Sequence, residues 1–490
     1  MNSVFRRLFC GLVAGTVAGV LLDGAADVAL STVPHVIFSA VLGMIFALWI
    51  GPRVRGDGSG LVWGEAFGLL SWLLGYLTLV PWVRGDGLYW TGDEILDRFE
   101  LLVGQTIVYG AVLGLVFNWL NRIICHLTGD DPEPDRESVV GPQGQELLSA
   151  STRSMLFGGI GGLIGGWVFL IGVAQSDFFP LVAGLIRSDS MAVGGILHYL
   201  IAITIGVSFG LIFYREIAGV GSALVWGMTY GITWWMFGPM TLAPLLVGDP
   251  VDWSVAGATE GFTPLIAHIL YGALIGLFFA GASRLWDIFF VDSDPLNRTF
   301  ESNGSRSLRG VLMGQGAGVV GGLLFTIVMV STDSLPEVAS LIGGSSFAVG
   351  FLVHLLIAVI IGSSYGLFFH RAAFSYGSGL GWGLCYGYLW WLLGPGTLFF
   401  VLLREPVDWS LLATADRYPA LVGHLLYGMG LGLSFQFLVR RNDSHGAAAA
   451  QNANPGEHHI HRTAGTPAAA LWAVTLTIGV MVPLLLGVGF

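Results

Sequence analysis

The sequence contains no lysine, so its 21 basic residues are all arginine. That absence removes lysine Schiff-base chemistry and the lysine of a phosphate-binding loop. Charge of either sign is scarce: charged residues make up 11% of the chain, against about 25% in an ordinary soluble domain. Only three cysteines occur, Cys10, Cys125 and Cys385, far apart and without metal-type spacing. No disulfide framework is implied, and small buried thiols are expected. There is no phosphate loop, no H-E-x-x-H and no dinucleotide fingerprint, nor a soluble domain large enough for one. An enzyme is not expected, no motif names a cofactor, and nucleic acid is not an expected partner. The net charge of −11 says little, because the acids are spread over loops.

What is present is apolar. Hydrophobic residues reach 54%, and glycine, at 73 of 490 residues, is about twice its usual share. Glycine is tolerated where membrane helices pack backbone to backbone. The apolar runs are about 17 to 25 residues long, enough to cross a hydrocarbon layer of roughly 30 Å as helix. They lack the two-residue alternation of a β-barrel.

The chain also repeats itself. One block reads WGEAFGLLSWLLGYLTL from Trp63, WGMTYGITWWMFGPMTL from Trp226 and WGLCYGYLWWLLGPGTL from Trp382. The shared frame is W-G-x2-F/Y-G-x3-W-x2-G-x2-T-L. Upstream, His35, His198 and His354 each stand 28 residues before the leading Trp. Small residues follow them every fourth position: Ser39, Gly43 and Ala47; Ala202, Gly206 and Gly210; Ala358, Gly362 and Gly366. A fourth-helix frame, H-x2-Y-G-x3-G, runs from His268 and from His424, whereas the first copy has Thr106 in place of the His before Tyr109-Gly110. The first helices carry Gly11-Gly15-Gly19, Gly158-Gly162-Gly166 and Gly310-Gly314-Gly318-Gly322. Residues four apart share a helix face, so these are smooth stripes suited to close packing. The second and third copies also share an insert starting at Pro180 and Pro336 and a P-V-D-W-S loop at Pro250 and Pro406; Trp90-Thr91 echoes that loop in the first copy.

The expected fold is an all-α polytopic membrane protein: three tandem parallel four-helix repeats, twelve spans related by a pseudo-threefold axis, plus one C-terminal span. The divisions are repeat 1 at 1–125, a linker at 126–152, repeat 2 at 153–285, a linker at 286–305, repeat 3 at 306–441, a flexible linker at 442–466 and a tail helix at 467–490. The basic, apolar start to Leu22 resembles a signal peptide but aligns with later helices, so it is expected to stay. Arginines set the orientation. With the N-terminus inside, only Arg84, Arg98, Arg187, Arg404 and Arg417 fall outside. The expectation is a cell (inner) membrane protein with a cytoplasmic N-terminus and an extracytoplasmic C-terminus.

The histidines are the first candidate site residues, because ionisable groups inside spans are costly and mark function by default. His35, His198 and His354 share one depth at the outer end of the second helices, and three imidazoles could hold a transition metal or relay protons. His268 and His424 lie about two turns into the fourth helices. The competing reading is structural: each imidazole caps or bridges helices within its own unit. Trp235 and Trp391 sit mid-span and need partners for their N–H groups. Pro239 and Pro395, each after a Gly, should loosen the third helix and free carbonyls. Glu65 is the one acid seen well inside an apolar run, with Met228 and Leu384 at its counterparts. The His458–His461 tract reads as linker, with weak metal binding as its alternative.

Three functional readings follow. The first is a transporter or channel-like protein for a small solute or metal ion. The second is a non-catalytic accessory subunit of a larger membrane complex, with the C-terminal helix docking onto other membrane subunits. The third is a membrane haem or metal protein. The lipid bilayer is a partner in all three.

Overall fold

The computed structural model describes residues 3–25, 32–128, 150–173, 178–217, 219–286, 288, 303–370, 372, 375–450, 481–482 and 484–485. Most of the three linkers, the His458–His461 tract and nearly all of the tail helix lie outside the described residues. Every described element is helical, and no strand occurs among the described residues.

The long helices are α1 (Ser3–Ala25), α2 (Thr32–Trp49), α3 (Asp57–Arg84), α4 (Phe99–Thr128), α5 (Ala150–Val173), α6 (Met191–Phe213), α7 (Val220–Phe237), α8 (Phe262–Trp286), α9 (Asn303–Ser331), α10 (Phe347–Phe369), α11 (Tyr376–Leu403) and α12 (Tyr418–Ala450). Among the described residues, ten helices are long and apolar enough to cross a membrane, which makes the chain a multi-pass membrane protein. The apolar stretch of α2, Val33–Trp49, is shorter than these ten. Helix α7 is not among the ten either: its Trp, Thr and Gly content lowers its mean hydropathy.

Contacts divide the chain into two compact units. Unit 1 comprises Met1–Leu163, Asp177–Glu216 and Ile232–Gly261; unit 2 comprises Ile164–Ser176, Ile217–Gly231 and Phe262–Phe490.

Glycine decides how the helices meet within each unit. In unit 1, a Cβ on Gly43 would run into the Gly11 carbonyl and come within 2.8 Å of Gly15 Cα. A Cβ on Gly206 would meet Gly158 O and lie 2.8 Å from Gly162 Cα. In unit 2, a Cβ on Gly362 would meet Gly314 O and lie 2.8 Å from Gly318 Cα. The stripes on the first helices therefore face the stripes on the second helices, backbone against backbone. Third and fourth helices meet the same way, at Gly64 against Gly110 in unit 1 and at Gly227 against Gly272 and Gly383 against Gly428 in unit 2. Such contacts give dispersion attraction and no polar driving force, which is how helices associate in lipid.

Hydrogen bonds recur at fixed spacing as well. Trp72 Nε1 donates to Arg98 O at 3.0 Å, Trp235 Nε1 to Gly261 O at 2.7 Å and Trp391 Nε1 to Arg417 O at 3.0 Å, always 26 residues on. Trp90, Trp253 and Trp409 each donate to the threonine twelve residues earlier, Thr78, Thr241 and Thr397. These bonds fix the loop after the third helix onto that helix. Thr91, Ser254 and Ser410 then cap the next short helix, each accepting from the backbone N–H three residues on. The inserts are short helices, Phe178–Gly184 and Leu335–Ser340. Each seats a backbone carbonyl, Phe179 O or Leu335 O, on a glycine of the following helix, Gly194 or Gly350.

Candidate functional site

The chain's least expected chemistry for a lipid-embedded protein lies in unit 1, where α1 to α4 meet. Asp23 on α1 stands 2.5 Å from Nδ1 of His35 on α2, and both side chains are over nine-tenths buried. The contact is a close carboxylate–imidazole approach off the hydrogen-bond axis, since neither group has an aligned hydrogen-bond partner for those atoms. On the other side of the imidazole, Tyr76 Oη lies 3.2 Å from Nε2. Gln105 Nε2 on α4 donates to Tyr76 Oη at 3.2 Å. Ser71 Oγ lies 2.7 Å from Gly68 O and 3.1 Å from Gln105 Oε1, and its one hydrogen goes to one of them at a time.

The Asp23 carboxylate beside Nδ1 assigns the imidazole. With the Gln105 amide oriented to donate to Tyr76 Oη, the tyrosine hydroxyl gives its own proton to His35 Nε2. Nδ1 then carries the ring proton on the side of Asp23. Carboxylate, imidazole, phenol, amide and hydroxyl form one polar chain across four helices, in surroundings where an unpaired polar group is expensive.

Backbone irregularity places two of these helices' polar groups. Ser71–Leu79 of α3 and Gly104–Gly110 of α4 are π-helical, a form that concentrates at functional sites and re-aims side chains. They hold Ser71 and Tyr76 on one side and Gln105 on the other. The counterparts on the later helices are also π-helical, Gly238–Leu242 and Gly394–Leu398. There Pro239 and Pro395 stand at the start of the widened turns, where a missing N–H costs least.

The histidines at matching sequence positions have different surroundings. His198, in unit 1, packs edge-on against Phe178 at 5.4 Å. His354, in unit 2, has Nε2 3.0 Å from Gly322 O, so that nitrogen donates to the carbonyl. His268 and His424 each donate from Nδ1 to the carbonyl four residues earlier, Pro264 O at 2.7 Å and Ala420 O at 2.8 Å. The ring of Phe325 lies against both His354 and His424, with centroids 5.2 and 4.6 Å away, and Phe169 lies against His268 at 5.0 Å. Among the described residues, no group of three His, Cys, Asp or Glu side chains is placed to hold a metal ion. Trp235 and Trp391, fully buried, spend their N–H groups on the loop carbonyls described above. A cavity of about 10 Å³ within unit 2, lined by Trp391, Trp409, Thr414 and Arg417 among others, has room for roughly one water.

Sequence reasoning missed Asp23, Ser71, Tyr76 and Gln105. Asp23 closes its apolar run instead of interrupting it, so Glu65 alone was read as an intramembrane acid. The later helices, aligned on their glycine contacts, carry Leu170 and Thr326 at the position of Asp23. The frame of the third helix sets Trp234 and Trp390 against Ser71, and Pro239 and Pro395 against Tyr76. Glu216, past the end of α6, was missed too. It is buried and accepts from Ser59 N at 3.2 Å, at the N-terminus of α3, where a carboxylate complements the helix dipole. Burial pushes its carboxyl above the usual carboxylate range, against the Ser59 hydrogen bonds that lower it. At the same helix end Asp57 Oδ1 gathers Asn118 Nδ2 at 2.7 Å, Trp119 Nε1 at 3.0 Å and Arg122 Nη1 at 3.3 Å from α4.

The described tail residues Met481, Leu484 and Leu485 are buried within the chain, and Tyr388 Oη donates to Met481 Sδ at 2.9 Å. No protein-family model, curated protein or solved structure matches the chain.

Proposed function

We propose that the chain is a membrane transport protein that handles protons through Asp23, His35 and Tyr76. The observation that carries this reading is the buried carboxylate–imidazole contact Asp23–His35 within a helix bundle otherwise built on glycine contacts. Packing alone has no use for a carboxylate and an imidazole there, because apolar residues fill the same volume at lower cost. The chain itself supplies the comparison: Leu170 and Thr326 stand at the positions that match Asp23. An imidazole with an acid at one nitrogen and a phenol at the other can accept a proton on Nε2 while Nδ1 stays turned to the carboxylate.

In this reading the chain has three parallel four-helix copies with the N-terminus inside, as the arginine distribution favours. The equal 26- and 12-residue spacings of the Trp hydrogen bonds support such copies. The first copy carries the proton chemistry, and its His35 end faces outward. The other two copies fill the corresponding region with aromatic rings. The accessory-subunit reading leaned on a tail helix free to dock onto a partner, and the burial of Met481, Leu484 and Leu485 gives it no support.

The test is proton movement in proteoliposomes carrying an internal pH dye and an imposed pH gradient with the membrane potential clamped. Wild-type protein should dissipate the gradient well above the rate of empty vesicles, and His35→Gln and Asp23→Asn should lower that rate at least tenfold. Tyr76→Phe, which keeps the ring, should also lower it. A wild-type rate equal to that of empty vesicles, or variants as fast as wild type, would refute the proposal.

A further inference from the structure

Unit 1 holds another buried carboxyl group in α3. Glu65 is 1% exposed, and both of its oxygens approach the hydroxyl of Thr233 on α7, Oε1 at 2.9 Å and Oε2 at 3.1 Å. Among the described residues, the Asp57 carboxylate has Arg122 within 4 Å and the Asp23 carboxylate has the His35 imidazole, whereas Glu65 has neither kind of partner. Three titratable groups of unit 1 have partners of their own. Tyr109 on α4 donates to Ser39 O at 2.8 Å, His35 on α2 stands between Asp23 and Tyr76, and Glu216 caps the start of α3.

We infer that Glu65, together with Thr233, is a second proton-holding site, in which the carboxyl group carries a proton at neutral pH and gives it up reversibly. A hydroxyl has one hydrogen, so Thr233 can satisfy one of the two oxygens that face it. The second approach is satisfied when the carboxyl group itself carries a hydrogen and donates it to Thr233 Oγ1. A bare carboxylate with one hydroxyl partner, no cation and no water exposure has little to offset its lost hydration. The position of Glu65 gives the site its use. It lies eleven residues before Tyr76 on α3, about 16 Å along the helix axis at 1.5 Å per residue. The two sites thus stand at different depths, and Ser71 and Gly68 fall between them on the same helix. Met228 and Leu384 occupy the matching positions of the later third helices, as Leu170 and Thr326 do for Asp23. At these two positions an acid stands in the first four helices alone. The use assigned to the site rests on the proton-transport reading, whereas its protonation stands apart from that reading.

Infrared difference spectroscopy of the full-length protein in lipid tests the assignment without any transport assay. The wild type at neutral pH should show a carboxylic acid C=O band that shifts on hydrogen–deuterium exchange. A component of that band should vanish in Glu65→Gln, persist in Asp23→Asn and Glu216→Gln, and move to higher frequency in Thr233→Val as its hydrogen bond is lost. Glu65→Gln keeps the shape of the side chain, and monodispersity of the variant confirms folding. A spectrum unchanged by Glu65→Gln would overturn the proposal, and a band unmoved in Thr233→Val would remove Thr233 from it. If the proteoliposomes show no proton flux while the Glu65 band behaves as stated, the transport reading fails and the protonated site stands.

Discussion

Substituting Gly43 by alanine tests the packing most sharply, because helix propensity and contact geometry push in opposite directions. In an open helix position Gly→Ala stabilises by about 0.5–1 kcal/mol, since alanine loses less backbone entropy on folding. Gly281 on α8 is such a position, with nothing within 4 Å of the added methyl. At Gly43 the methyl meets Gly11 O and lies 2.8 Å from Gly15 Cα, whereas carbon atoms in contact prefer roughly 3.5–4.0 Å. The obstacle is backbone, so no side chain can turn aside, and α1 and α2 must part by about 1 Å. A gap of that size forfeits roughly a quarter to a half of each dispersion well along the seam, and overpacking of this kind costs about 1–3 kcal/mol. Net of the propensity gain, Gly43→Ala should destabilise by up to about 2.5 kcal/mol while Gly281→Ala stabilises slightly. The assay is reversible unfolding in mixed micelles with increasing denaturing detergent. Gly206→Ala and Gly362→Ala, with the same 2.8 Å approach to Gly162 Cα and Gly318 Cα, should lose the same amount. The reasoning is refuted if Gly43→Ala matches Gly281→Ala, or if the three seam variants differ in sign.

Further outcomes follow from individual bonds. Trp235→Phe removes the donor to Gly261 O and should cost about 1–3 kcal/mol in the same assay, since the carbonyl loses its partner; a change below about 0.5 kcal/mol would show that the bond ties nothing down. Glu216 supplies a pH signature. Its carboxyl is raised in the folded state by burial, so folding takes up a proton between the ordinary glutamate range and the raised value. Its contribution is greatest below the ordinary range and is lost as pH rises through the folded value. The melting temperature of wild type should therefore fall relative to Glu216→Gln over that interval, and parallel profiles would contradict this. Asp408 behaves in the opposite way. The Ser410 backbone N–H, at 2.8 Å, holds its carboxyl below the usual range, so its contribution is present at neutral pH and is lost as pH falls through that lowered value. Asp408→Asn should flatten the acid limb of the melting profile, and an unchanged limb would remove this role.

Much of the packing was legible in the sequence because it recurs. The stripes Gly11-Gly15 and Ser39-Gly43 announce a helix seam through their fourfold spacing, and the seam is there. Pro239 and Pro395 announce irregular third helices, and widened turns stand at those places. Trp235 and Trp391 announce a need for N–H partners, and loop carbonyls supply them. The polar chain was not legible, for a related physical reason. Residues that recur are those the helix packing demands, and reading by recurrence directs attention to them. Asp23, Ser71, Tyr76 and Gln105 each differ from their counterparts, lie on three separate helices with His35 on a fourth, and meet only when close glycine contacts bring those helices together. Asp23 also sits at the end of its apolar run, where an acid reads as an ordinary boundary. The matching histidines show the converse: one sequence position hosts a carboxylate contact at His35, ring packing at His198 and a carbonyl hydrogen bond at His354.

If Asp23, His35 and Tyr76 form one proton-handling unit, as proposed, the ring protonation of His35 reports it. Nitrogen-15 NMR of histidine-labelled protein in lipid bilayers, with the His35 signals assigned by their loss in His35→Gln, distinguishes the two neutral tautomers and the charged ring. Neutral His35 should carry its proton on Nδ1, beside Asp23, with Nε2 accepting from Tyr76, and this preference should weaken in Asp23→Asn. A neutral ring protonated on Nε2, unchanged by Asp23→Asn, would contradict it.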